Sequence, residues 1–163
     1  MKSILFHYPV LNVGGAEKST LRMLRALCDR GWKVTLVLTT GGGTMESEID
    51  PRIRVVRLRP RAFGERFVAA GKWAARLRAL PDLVGYLAMR VIAAVRMLSF
   101  LLYQYDAAAV LLMGTSSGFV RRVVRTKVRV IWVRSDLSGA DPTGRVVASL
   151  RASARDFDHF ICV

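Results

Sequence analysis

A glycine pair with an acidic and a basic residue close behind it stands near the start of the chain, in the sequence VGGAEKST. Gly14 and Gly15 follow an apolar segment and precede an amphipathic one. A glycine between a strand and a helix lets a ligand approach the backbone, and a helix N-terminus attracts phosphate. The spacing therefore predicts a phosphate site at this turn, although the glycines could equally form a structural turn alone.

The surrounding motif is neither of the two common phosphate-binding loops. Glu17 stands where a Walker A loop has its last glycine before the lysine, Lys18 in this chain. The G-x-G-x-x-G spacing of dinucleotide-binding proteins is also absent. The motif alone therefore does not say which molecule carries the phosphate.

A second polar turn, GTSSG at residues 114–118, matches the G-x-S-x-G nucleophile elbow. Ser116, Asp136 and His159 also occur in the chain order of an α/β-hydrolase triad, so a serine hydrolase is one alternative. Against it, His159 heads a predicted strand, the chain is short, and no glycine-rich oxyanion segment precedes the turn. The other interpretation is a polar turn at the carboxyl end of a central strand, where open α/β sheets bind ligands.

The elements that must position these residues alternate between strands and helices. Apolar runs predict strands at Ser3–Tyr8, Lys33–Thr39, Ile53–Leu58, Ala107–Met113, Val128–Val133 and His159–Val163. Helical spacing predicts helices at Ala16–Arg30, Leu83–Gln104, Phe119–Arg125 and Gly144–Arg155. Gly31 is expected to cap the first helix, Gly41–Gly43 to open a flexible loop, and Pro81 to break the helical segment before it. Short strand–helix–strand connections predict an α/β fold, a Rossmann-like parallel sheet of order 3-2-1-4-5-6 flanked by helices.

The two cysteines and two histidines do not form a metal site by spacing. Cys28 and Cys162 both fall in apolar segments, so both are expected to be buried thiols in a reducing compartment. His7 lies near the end of the first strand and is expected to face either the ligand edge or the core. No metal or other cofactor is expected.

The charge balance points to an anionic partner. The 163 residues, enough for one domain, carry 26 Lys and Arg against 12 Asp and Glu, a formal charge of +14. Nucleic acid is not expected, because no helix-turn-helix, zinc finger or RNP-like pattern occurs. Residues 65–80 interleave cations with aromatic residues, which favours contact with an anionic membrane surface.

The segment Leu83–Gln104 is long enough to cross a bilayer. Arg90 and Arg96 lie well inside it, and each would cost about 2.5–3.5 kcal/mol at the centre of an inserted helix. A buried or surface-lying helix is therefore favoured over a membrane span. The chain ends at Val163 within an apolar run, and we expect it to be a truncated domain.

Several segments together resemble the N-terminal half of a GT-B glycosyltransferase of family 4, the retaining type that builds cell-surface polysaccharides and glycolipids. The segments are VGGAEKSTLRMLRAL, GWKVTLVLT, WVRSDL and DHFICV. The glycine turn with its helix is the most specific of them, whereas residues 59–104 are not diagnostic. The resemblance implies an acceptor-binding domain facing a donor-binding one that holds a Glu-x7-Glu pair and lies outside these 163 residues.

The resemblance also implies roles for individual residues. Gly14, Gly15, Glu17 and Lys18 fall where the family's turn reaches the diphosphate of a nucleotide-sugar donor. Ser116, Arg134 and Asp136 would line the acceptor side of the cleft, with a glycan or lipid-linked acceptor. Arg134 stands where many members have a catalytic-site histidine, so that role does not carry over and the catalytic residues are unknown.

The implied whole protein is a hexosyltransferase that works without a metal, in the cytoplasm at the inner membrane face. Since the donor pocket would lie in the other domain, the isolated chain is expected to be inactive. A basic membrane-binding module without catalysis is the remaining alternative.

Overall fold

A six-stranded parallel sheet forms the centre of the fold. In the computed structural model of the chain, residues 1–60, 80–111, 117–133 and 144–162 are described. The strands are β1 Ser3–Tyr8, β2 Lys33–Gly41, β3 Arg54–Pro60, β4 Gln104–Val110, β5 Arg125–Val133 and β6 His159–Cys162. Their order is β3-β2-β1-β4-β5-β6, and every neighbouring pair is parallel. The predicted Rossmann-like topology is confirmed, including the edge position of the third strand.

Helices cover both faces of this sheet. The described helices are α1 Gly15–Asp29, α2 Leu80–Leu102, α3 Ser117–Arg122 and α4 Arg145–Ser153. Successive strand residues point to opposite faces, so Phe6 and Leu36 pack with Leu24 of α1, whereas Leu5 packs with Phe100 of α2. The two long helices therefore lie on opposite faces of one sheet.

The first helix ends at Asp29, one residue before the predicted Arg30, and Gly31 closes it as expected. Gly31 has φ +77°, and its N–H donates to the Cys28 carbonyl at 2.9 Å. The N–H of Trp32 donates to the Leu27 carbonyl at 3.1 Å, which completes a Schellman motif. A side chain at Gly31 would force an L-residue into the left-handed region, so glycine is required there.

The second long helix is shifted by two or three residues from its predicted bounds. Within the described residues it spans Leu80–Leu102 and so includes Pro81, whereas the helical segment predicted before Pro81 lies outside the described residues. The helix ends at Leu102, and Gln104 is already the first residue of β4.

Near the amino-terminal ends of the strands, the side chain of Asp106 links three of them. Its carboxylate accepts hydrogen bonds from the Ser3 N–H at 2.9 Å and from Lys127 Nζ at 2.8 Å. Lys127, followed by Ser3, lowers the pKa of Asp106 to about 2. The carboxylate therefore stays charged and holds β1, β4 and β5 in place at neutral pH.

The expectation of two buried thiols is wrong for Cys162. This residue lies on the edge strand β6, all four residues of which are exposed. Cys28 is half-buried beside the α1 core, and burial raises the pKa of its thiol. β6 has a neighbouring strand on one side only, and the side chains of all four of its residues stay accessible to solvent.

Candidate functional site

The candidate site lies at the carboxyl ends of β1 and β4, which are neighbours in the centre of the sheet. The chain leaves β1 towards α1 on one face, and β4 is followed by residues 112–116 and α3. The Leu111 N–H donates to the His7 carbonyl at 3.2 Å, so Leu111, the residue after β4, lies beside the end of β1. The connections on the two sides of this point go to opposite faces, which makes it the topological switch point where such sheets bind ligands.

The glycine turn begins α1 at this switch point. Gly14 is the N-cap of the helix and has extended backbone, with φ −174°. Its carbonyl accepts the first helical hydrogen bond, from the Lys18 N–H at 3.1 Å. Gly14 has no side chain to cap the helix, and the positive end of the α1 dipole at this turn attracts anions.

Neither glycine is demanded by the fold itself. A Cβ atom added to Gly15 would meet no other atom within 4 Å, and one added to Gly14 would overlap only the flexible Glu17 carboxylate. Neither residue has positive φ. Packing and backbone geometry therefore leave the missing side chains unexplained, whereas close approach of a ligand explains them.

The carboxylate of Glu17 lies over the turn, against Gly14. Its negative charge stabilises the start of the helix through the dipole. A phosphate at the same place would be repelled by this carboxylate, so Glu17 must swing away for a phosphate to bind. Lys18 is exposed beside it and carries the favourable charge for such a ligand.

A second loop, which sequence reasoning treated only as flexible, supports the turn. The Met45 N–H donates to the Leu11 carbonyl at 3.1 Å, and Gly43 lies so close to Leu11 that a Cβ would overlap its backbone. The Glu46 carboxylate accepts hydrogen bonds from the N–H groups of Gly42 at 2.6 Å and Gly43 at 3.1 Å. These hydrogen bonds and the close contact hold the loop against the segment that leads into the turn. In the sequence, the three glycines followed by a glutamate could have predicted this contact.

The outward side of α1 forms one wall of a groove of about 530 Å³. Lys18, Arg22 and Arg25 line this wall, and residues 47–51 form the other. The nearly buried Asp50 lies 3.6 Å from Arg25 Nε and accepts a hydrogen bond from Arg52 Nη2 at 2.8 Å. Arg52 lowers the pKa of Asp50 to about 2, so this carboxylate stays charged. It offsets part of the positive charge of the arginines in and beside the groove.

The predicted acceptor-side residues Ser116, Arg134 and Asp136 lie outside the described residues. The structure therefore brings together Gly14, Gly15, Glu17 and Lys18, while the acceptor side stays a prediction. The serine-hydrolase alternative also stays a prediction, which labelling of Ser116 by a fluorophosphonate probe would test.

The two histidines occupy different settings. His7 is buried, its Nε2 lies 2.9 Å from Thr39 Oγ1, and its ring centroid lies 4.8 Å from that of Phe119. His159 is the first residue of β6 and pairs with Val130 of β5, so it heads a strand as predicted. Within the described part of the chain, no group of three or more His, Cys, Asp or Glu residues could hold a metal ion.

Comparison with known proteins adds no family assignment. No protein-family model matches the chain, and no curated protein matches it either. The fold class and the geometry of the turn therefore carry the functional argument.

Proposed function

We propose that the chain is the acceptor-side domain of a retaining, family 4-like GT-B glycosyltransferase. The whole enzyme transfers a sugar from a nucleotide-sugar to a glycan or lipid-linked acceptor in cell-surface polysaccharide or glycolipid synthesis. It works at the cytoplasmic face of the membrane. Its donor-binding domain lies outside these 163 residues.

The observation that carries the proposal is the open glycine turn at the switch point of a Rossmann-like sheet. Gly14 and Gly15 start a helix there, and adding a side chain at Gly15 would disturb nothing in the fold. A donor diphosphate held by a facing domain would meet the N–H groups and the dipole of α1 at this position. The sequence resemblance points to the same role for the same residues.

In the proposed reaction, the turn stabilises the leaving nucleotide. The bond between the anomeric carbon of the sugar and the diphosphate breaks while an acceptor hydroxyl oxygen bonds to that carbon. Negative charge grows on the leaving phosphate oxygen, which takes up the proton of the hydroxyl. Fixed N–H donors at the start of α1, together with Lys18, stabilise that charge without reorganising during the reaction. Glu17 swings away from the turn as the diphosphate arrives, because two anions repel at this distance.

Sequencing of the gene and calorimetry on its product together test this proposal. Reading the frame past the codon for Val163 is expected to show a second Rossmann-like domain with a Glu-x7-Glu pair. In calorimetry, the longer protein is expected to bind a uridine or guanosine diphosphate sugar saturably, and the 163-residue chain is not. A stop codon directly after Val163, or saturable binding by the 163-residue chain alone, would contradict the proposal.

A single substitution tests the turn itself. Gly15→Ala in the longer protein is expected to lower turnover about tenfold or more, because a methyl group keeps the diphosphate from the backbone. Its melting temperature is expected to stay unchanged, since the added Cβ meets nothing. Unchanged turnover would show that the turn is structural only.

A further inference from the structure

The side of α2 that faces away from the sheet is an uninterrupted apolar stripe. Its large exposed side chains follow one another at helical spacing: Val84, Leu87, Val91, Val95, Leu98 and Leu102. We call these six residues the outer stripe. At 1.5 Å per residue the stripe is about 27 Å long, and a contiguous exposed apolar patch of this kind is typical of an interaction surface.

The opposite side of the same helix is packed in the core. Ala93 and Phe100 are buried against the sheet, and Phe100 meets the Phe119 ring edge-on at 5.5 Å. Residues 83–102 are long and apolar enough to cross a membrane, with a mean hydropathy of 1.6. Because Ala93 and Phe100 hold α2 against the sheet, we take α2 to stay on the domain and to offer its exposed apolar face to a partner.

The described charged side chains beside the outer stripe are positive. Arg90 lies off the stripe, with its guanidinium 5.9 Å from the Tyr86 ring centroid, and it shares a groove of about 340 Å³ with Arg59 of β3. Arg96 also lies off the stripe and donates to the Arg57 carbonyl. Among the described residues, none of Arg59, Arg90 and Arg96 forms an ion pair with a carboxylate.

Two features favour lipid over a second copy of the chain. The exposed apolar face is wider than a coiled-coil seam, because Ile92 and Leu101 extend it on either side of the outer stripe. The described charged side chains beside the stripe, Arg59, Arg90 and Arg96, are positive, and the chain carries a formal charge of +14, so two copies would repel each other. An anionic bilayer matches both the apolar face and the positive charge.

We propose that the outer stripe docks the protein on anionic membranes by lying parallel to the bilayer in its interface. The apolar side chains reach the acyl boundary, while Arg59 and Arg90 extend along the helix to lipid phosphates. This names a docking surface for the membrane location proposed above. It does not depend on sugar transfer.

Vesicle pelleting with matched valine variants tests the proposal. The vesicles contain equal parts of phosphatidylglycerol and phosphatidylcholine, with pure phosphatidylcholine as the neutral comparison. Val91→Glu and Val95→Glu place a carboxylate in the outer stripe, where Val91 is 63% exposed. Val13→Glu makes the same charge change at a valine that is 75% exposed but lies in the β1–α1 turn.

The wild-type chain and Val13→Glu are expected to pellet equally with anionic vesicles. Val91→Glu and Val95→Glu are expected to lose about tenfold or more in partitioning, because a charge in the interface opposes insertion. Circular dichroism checks that all four proteins melt at similar temperatures. The assay contains no nucleotide-sugar, so its outcome is separate from that of the glycosyltransferase proposal.

Three results would overturn the docking proposal. Equal loss in all variants would mean that net charge alone attracts the protein. No pelleting of the wild-type chain at low salt would mean that the stripe does not bind lipid. A lipid-free dimer in analytical ultracentrifugation that Val91→Glu dissociates would assign the stripe to a second copy.

Discussion

The two long helices, α1 and α2, lie on opposite faces of the same sheet, and the sides that face away from the sheet differ in composition. The outward side of α1 carries Lys18, Arg22 and Arg25, and its C-terminal turn is tied down when Arg52 donates to Asp29 at 2.7 Å. The outward side of α2 is the outer stripe. Water and ion pairs satisfy the polar groups on the outward side of α1. In α2, both the side packed on the sheet and the side facing away from it are apolar.

This difference shows that an apolar helix residue has two possible explanations. Leu24 in α1 is apolar because it packs in the core, as is Phe100 in α2. Leu98 is equally apolar but exposed. Only the structure separates the residues that stabilise the domain from those that are available to a partner.

The largest difference in stability is expected between two alanine variants, one on the buried side of α2 and one on its outer stripe. Phe100→Ala should lower the free energy of unfolding by about 3–5 kcal/mol, because it leaves a cavity in the core. Leu98→Ala should stay within about 0.5 kcal/mol of wild type in lipid-free buffer. Urea unfolding followed by circular dichroism measures both, and a similar cost for the two variants would mean that the outer stripe is buried in the monomer.

A smaller effect is expected from matched glycine variants at the two ends of α1. Gly31→Ala should cost about 1–2 kcal/mol, because alanine disfavours the left-handed backbone that the Schellman motif needs. Gly15→Ala should be neutral or slightly stabilising, since its methyl group meets nothing and alanine suits a helix better. Thermal unfolding of the two variants compares them. An equal cost at Gly15 would mean that the turn is required for folding and would weaken the case for a ligand there.

The smallest effect on stability is expected from the ion pairs beside α1. Arg52 lowers the pKa of Asp50 from 3.8 to about 2, so this carboxylate binds fewer protons in the folded chain than in the unfolded chain. Its contribution to stability is therefore present above pH 4 and is lost as the pH falls from about 4 to about 2. Asp106 titrates in the same window, so the wild-type loss combines both groups.

Asp50→Asn should therefore flatten part of the decline in unfolding free energy between pH 4 and pH 2. Urea unfolding at several pH values measures the slope for the variant and the wild type. Asp106→Asn is the matched comparison near the amino-terminal ends of the strands, away from α1. An unchanged slope in Asp50→Asn would show that the Asp50–Arg52 pair does not stabilise the fold.

The sequence was sufficient for the sheet and for the glycine turn that begins α1. Strand order followed from short strand–helix–strand connections, and the Gly31 cap followed from the end of the helical spacing. The brace from Glu46 to Gly42 and Gly43 was not predicted, because a side chain that folds back on loop N–H groups leaves no periodic signal. The sequence left open whether this helix is buried or lies on the surface, since hydropathy alone does not distinguish core from surface.

The most direct test of the contrast between α1 and α2 is the depth of each helix in a bilayer. A bimane label on Leu98→Cys reports on the outer stripe, and one on Arg22→Cys reports on α1, both in a Cys28→Ala, Cys162→Ser background. With phosphatidylglycerol vesicles that contain brominated acyl chains, we expect strong quenching of the label at position 98 and none at position 22. Equal quenching at both positions, or none at position 98, would contradict the account.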